Sequence, residues 1–146
     1  MDHHKLLELD DVVRMVYRKM TQAWTQNVER GISSSQAWIL ELLEQRGRLR
    51  ASEIAELLGI TSGAVTALCD KLISAGYASR SRTEEDRRVV YVEATPEGIE
   101  MLRTFESTRR MIIQQFFQGL SDDDQADLVR IYKKVLNNIE IERTGE

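Results

Sequence analysis

The chain has 146 residues, 42% of them hydrophobic and 30% charged, with a formal net charge of −4. That is the length of one domain, too apolar to be disordered and too polar to span a membrane. No stretch nears the roughly 18 uninterrupted apolar residues of a membrane helix. The start, Met1-Asp2-His3-His4-Lys5, lacks the marks of a secretory signal, and Cys69 is the single cysteine. An intrachain disulfide is therefore excluded and a cytoplasmic protein is expected.

Charge is unevenly spread: residues 1–45, 46–93 and 94–146 carry net charges of −2, +1 and −3. Arginines cluster at Arg46, Arg48, Arg50 and again at Arg80, Arg82, Arg87, Arg88. Local clusters count most for a phosphate backbone, because salt screens charges beyond about 8 Å.

In chain order, the spacing of Leu6, Leu9, Val13, Val16, Tyr17, Met20 and Trp24 predicts a helix over 6–28. Leu7, Val12, Met15 and Val28 lie off that stripe, so this helix has more than one surface to cover. Ser33 with Gln36 three residues on is a capping-box pattern. It opens a second helix, 34–45, that buries some combination of Ala37, Trp38, Leu40, Leu42 and Leu43 before Gly47 stops it. Two short helices follow, 52–58 and 62–75, joined by Gly59-Ile60-Thr61, with Thr61 as cap and Gly76 as terminator. This is a helix-turn-helix pattern.

Residues 77–82 and 89–93 then read as two strands, the second rich in β-branched and aromatic side chains. The polar connection Thr83-Glu84-Glu85-Asp86-Arg87-Arg88 is a hairpin tip, and a brief strand near Leu49 supplies a third member. Helix-turn-helix followed by a basic hairpin is a winged helix. Thr95-Pro96 opens a further helix through Phe117. Ser121, followed by Asp122, Asp123 and Asp124 at the positive end of the dipole, opens a last one, striped with Leu128, Ile131, Tyr132, Val135, Leu136 and Ile139. The expected fold is mostly α with a small β-hairpin wing.

The segment from Ile32 to Leu102 resembles the MarR family of bacterial transcriptional regulators. The matching residues are Ile32-Ser33-Ser34-Ser35-Gln36, Glu53-Ile54-Ala55-Glu56-Leu57-Leu58-Gly59-Ile60, Ala64-Val65-Thr66, Asp70-Lys71-Leu72 and Ala75-Gly76-Tyr77-Ala78-Ser79-Arg80. The most telling piece is Asp86-Arg87-Arg88 followed by Ala94-Thr95-Pro96-Glu97-Gly98. The resemblance implies one MarR-like domain over 1–146. Residues 32–95 would be its DNA-binding winged helix, and residues 5–30 and 97–143 its dimerisation helices. It further implies a homodimeric regulator, a repressor in the favoured reading, on a near-palindromic operator with half-sites about one helical turn apart. An effector would act by changing the separation of the two reading heads. Arg50 stands where the family commonly has a Thr or Ser cap, and Ala94 where Leu is usual, so a weaker cap and slightly looser packing are expected.

On the second helix of the motif, Val65, Leu68, Cys69 and Leu72 face inward by spacing, leaving Ser62, Gly63, Thr66, Ala67, Asp70 and Lys71 outward. That face has no Arg, Asn or Gln, the usual bidentate base readers. Ser62 and Thr66 offer single hydrogen bonds, Thr66 and Ala67 offer methyls to thymine, Gly63 admits a close backbone and Lys71 suits a phosphate. Sequence preference is thus expected from thymine methyls and DNA shape. In the wing, Arg87 is placed for insertion into an A/T-rich minor groove, and Arg82 and Arg88 for phosphates. Arg80 is assigned to the same DNA-binding set of the wing, and Asp86 is expected to orient Arg80 or Arg88. The competing reading is a solvated hairpin whose ion pairs are worth under about 1 kcal/mol each.

Cys69 reads as a small buried hydrophobe, a redox switch being the alternative, and the neighbouring Asp70 is expected to raise its pKa. His3 and His4 near Glu8 lack a third His or a Cys, so no metal and no cofactor are expected. Tyr17, Met20, Trp24 and Trp38 are core residues or, as family members have, the lining of a pocket for a small aromatic effector. No G-x-S-x-G, P-loop or G-x-G-x-x-G occurs, so an enzyme is not expected. The remaining alternative is a winged helix that binds protein and no DNA.

Overall fold

The computed structural model describes residues 2–27 and 31–144; Val28, expected to end the first helix, lies outside them. Helix α1 (His3–Asn27) is followed by α2 (Ser34–Arg46), β1 (Leu49–Arg50), α3 (Ala51–Leu58) and α4 (Ser62–Ser74). Then come β2 (Ala78–Arg82), β3 (Val90–Ala94), α5 (Pro96–Phe117) and α6 (Asp122–Thr144). The strands form a three-stranded antiparallel sheet in the order β1-β3-β2. The fold is the expected one, α-rich with a β-hairpin wing. Among the described residues, no single helix is long and apolar enough to cross a membrane.

Local chemistry explains the boundaries. Ser33 and Gln36 make the reciprocal capping box at the start of α2, with the Ser33 amide 2.8 Å from Gln36 Oε1. Ser121 and Asp124 do the same for α6, at 3.1 and 3.2 Å. The Thr61 side chain accepts from the Ala64 amide at 3.2 Å, capping α4. Between α3 and α4 the chain turns at Gly59, whose φ of +67° lies in the left-handed region that glycine enters without strain. Arg50, at the N-cap of α3, makes no side-chain cap bond; its Nε pairs instead with Glu53 Oε1 at 2.5 Å.

The chain divides into two compact units, residues 1–112 and 113–146. The first holds the core, where Ile39, Leu40, Ile54, Val65, Leu72 and Leu102 are fully buried. On α2 the buried combination is Ala37, Leu40, Leu42 and Leu43, joined by Ile39. Trp38 is exposed and Ile39 is buried, because Ala37, Ile39, Leu40 and Leu43 together occupy the core side and turn position 38 outward. Trp24 of α1 packs against this core, its ring 4.4 Å from that of Phe105 in an edge-on pair. The rest of the α1 stripe, Leu6, Leu9, Val13, Val16 and Tyr17, is exposed. In the second unit, Ile131, Tyr132, Val135, Leu136 and Ile139 of α6 are exposed as well.

Candidate nucleic-acid interface

Helix α4 buries Val65, Cys69 and Leu72, half-buries Leu68, and leaves Ser62, Gly63, Thr66, Ala67, Asp70 and Lys71 exposed, the outward set that spacing predicts. Thr66 Oγ1 donates to the Ser62 carbonyl at 2.9 Å. Its hydroxyl hydrogen is therefore committed within the helix, leaving a lone pair and a methyl group for a partner. A Cβ on Gly63 would meet nothing within 4 Å. Nothing in the protein itself requires glycine there.

The wing is ordered by its own side chains. Arg82 Nη1 donates to the Arg87 carbonyl at 3.3 Å, tying strand β2 to the tip. Thr83 Oγ1 accepts from the Asp86 amide at 3.2 Å, and Asp86 Oδ1 accepts from both the amide (3.1 Å) and Nε (3.2 Å) of Arg88. Of the two partners open to Asp86, the structure selects Arg88, whose side chain remains 93% exposed. Arg87 is exposed at the turn, and among the described residues its guanidinium has no ion-pair partner.

Arg80 is held differently from the rest of the basic set: its Nη2 donates to Asp70 Oδ1 on α4. Spacing placed Asp70 outward and gave it no partner, so this contact was missed. Strand alternation carried the signal, because Arg80 shares a face with the buried Ala78 and stands opposite the buried Val92, the side that α4 packs against. A second contact not foreseen is Arg48, whose guanidinium lies 4.5 Å from the centre of the Tyr91 ring.

Burial pushes the Cys69 thiol above its ordinary pKa, opposed by the positive charge of Arg80. The expected role of Asp70 in that shift is not found, since its charge is engaged by Arg80. Of the four candidate pocket residues, Trp24 and Met20 are half-buried while Tyr17 and Trp38 are 72% and 50% exposed. A shallow depression along α1 takes in Tyr17 with Arg18, Lys19, Thr21 and Gln22 but none of the other three. Among the described residues no cluster of three His, Cys, Asp or Glu side chains is arranged to hold a metal ion.

A helix-turn-helix with an exposed second helix and an arginine-tipped hairpin beside it defines a winged helix-turn-helix protein. Residues 32–90 match the model of the MarR family. The HTH-type transcriptional regulator YkoM of Bacillus subtilis is 35% identical over 106 residues, 73% of this chain and 69% of the relative. The chain belongs to the MarR family. A MarR family protein from Bacillus stearothermophilus shares the fold at a TM-score of 0.80, with 19% identity over 96% of this chain and 99% of that one. A mutant of MarR from E. coli, solved with operator DNA, superposes with a TM-score of 0.72 and 23% identity over 93% of this chain and 99% of that one.

Proposed function

We propose that this protein is a cytoplasmic, homodimeric transcriptional repressor that binds a pseudo-palindromic, A/T-rich operator. The observation that carries the reading is the pairing of two surfaces. Helix α4 presents Ser62, Gly63, Thr66, Ala67 and Lys71 without apolar cover, and the neighbouring wing presents an exposed Arg87 whose guanidinium has no ion-pair partner among the described residues. A helix of this width fits the major groove, and a free guanidinium at a hairpin tip fits the electronegative minor groove. Lys71, Arg82 and Arg88 supply phosphate contacts, with Asp86 orienting Arg88. The paucity of bidentate readers makes shape and thymine methyls the source of sequence preference. The solved complex of the E. coli relative with operator DNA supports the same partner.

The dimer is supported by apolar surface left uncovered in each unit: Leu6, Leu9, Val13 and Val16 on α1, and Ile131, Val135, Leu136 and Ile139 on α6. Contiguous exposed stripes of this kind mark an interface, and a second copy of the chain is the partner that covers them. Bound across two half-sites, such a dimer excludes polymerase from a promoter. Release by a small aromatic effector, which the family resemblance implies, completes the reading; the depression beside Tyr17 is where such a ligand would be sought.

The test is selection of bound fragments from random duplex DNA with the purified full chain, followed by gel shifts across a salt series. The expected result is an A/T-rich two-fold site and an affinity that falls by roughly 0.9 log units per neutralised phosphate for each log unit of salt. A dimer that retains no duplex in dilute buffer overturns the reading and leaves protein binding as the role of the wing.

A further inference from the structure

We propose that Asp70 and Arg80 form a latch that sets the angle between recognition helix and wing, making Arg80 a positioning residue and not a contact to nucleic acid. The proposal rests on the DNA-binding reading above. Asp70 lies on the outward face of α4, one turn beyond Thr66, where a bare carboxylate would face phosphates and be repelled. The guanidinium of Arg80 neutralises it and spans ten residues of chain, from α4 across the turn to β2. The side chains are 48% and 53% exposed, so the pair adds little to folding and its value lies in geometry.

From that contact strand β2 leads to the tip, where further hydrogen bonds hold the turn. Arg80 is fixed in the β2–β3 ladder opposite Val92. Two residues on, Arg82 holds the Arg87 carbonyl, and Thr83 holds Asp86. The position of Arg87 in the minor groove relative to Thr66 in the major groove is thereby referred back to Asp70. Removing the latch lets the two probes drift apart while each keeps its own contacts. Misplacement of groups that must engage together is what a supporting contact of this kind prevents.

The latch and a direct contact predict opposite signs for one substitution. With the latch, Asp70→Asn weakens specific binding, by up to about fivefold per reading head as set by an exposed ion pair. If Arg80 touches phosphate, the same change frees a cation, removes an anion and tightens binding. Gel shifts on the selected operator would compare wild type, Asp70→Asn, Asp70→Glu, Arg80→Ala and the double variant, each first shown by circular dichroism to melt as wild type does. The expected pattern is loss in both single variants, no further loss in the double because both act through one contact, and recovery in Asp70→Glu. The salt slope of Arg80→Ala should equal that of wild type. Unchanged or tighter binding by Asp70→Asn, or a slope shallower by about 0.9 per phosphate in Arg80→Ala, overturns the latch alone. A wild-type protein that binds no duplex overturns the latch together with the reading it rests on.

Discussion

The carbonyl oxygen of Tyr77 occupies the space that a side chain on Gly98 would need: a Cβ there would stand 1.9 Å from the oxygen and 2.8 Å from its carbon. The same carbonyl accepts from the Thr95 amide at 3.1 Å, while Thr95 Oγ1 donates to the Gly76 carbonyl at 2.6 Å and accepts from the Gly98 amide at 3.0 Å. The exit of α4 is thus bolted to the first turn of α5. Gly98→Ala must displace backbone from this junction. It should cost about 3 kcal/mol, the upper range for overpacking, read as a lowered urea midpoint. An unchanged midpoint would show that the junction yields without strain.

Gly63 is the opposite case. With open space around it, Gly63→Ala should leave the fold as stable or raise it, by up to about 1 kcal/mol from helix propensity alone. Operator binding should nonetheless fall, because in the proposed complex the added methyl would stand where the duplex backbone or a base edge approaches. Thermal melts and gel shifts on one preparation separate the two effects. Equal binding by Gly63→Ala would mean that this turn of α4 stays clear of the DNA.

Arg87→Ala should weaken operator binding by about 1–3 kcal/mol, the range for an arginine that reads a groove. The dimer should be unchanged by light scattering, since the residue lies at an exposed turn remote in sequence from the apolar faces of α1 and α6. The loss should be larger on operators with an A/T flank than with a G/C flank, because only the former narrows the minor groove. Wild-type affinity in the variant would remove the wing tip from the interface.

The fold was legible where the chain follows local rules. Ser33 with Gln36, Thr61 before α4 and Ser121 before α6 all cap as expected, because capping involves residues three apart and nothing distant; the return bond from Asp124, read from the sequence only as a dipole charge, is added by the structure. The inward set of α4 followed from helical period in the same way. Trp38 shows the limit: several apolar neighbours crowd α2, and period alone does not decide which of them the core takes. Arg48–Tyr91 was illegible for a different reason, and Asp70–Arg80 was half legible, since strand alternation gives the face of Arg80 but not its partner. Each joins separate elements, and their meeting depends on how helix and sheet pack.

Cys69 ties stability to pH in a calculable direction. Burial keeps the folded thiol protonated beyond its ordinary pKa. Below about pH 8.5, where an unfolded cysteine titrates, folded and unfolded chains hold the same proton and the thiol adds no pH dependence. Above it the unfolded chain releases the proton first, so stability falls with rising pH until the folded thiol ionises too. Urea melts at rising pH should therefore show wild type losing stability faster than Cys69→Ala above that point, whatever their difference at pH 7. The native thiol should also react slowly with iodoacetamide at neutral pH, as a protonated and buried sulfur must. Parallel pH profiles with rapid alkylation would place the sulfur at the surface of α4, within reach of oxidants and of DNA.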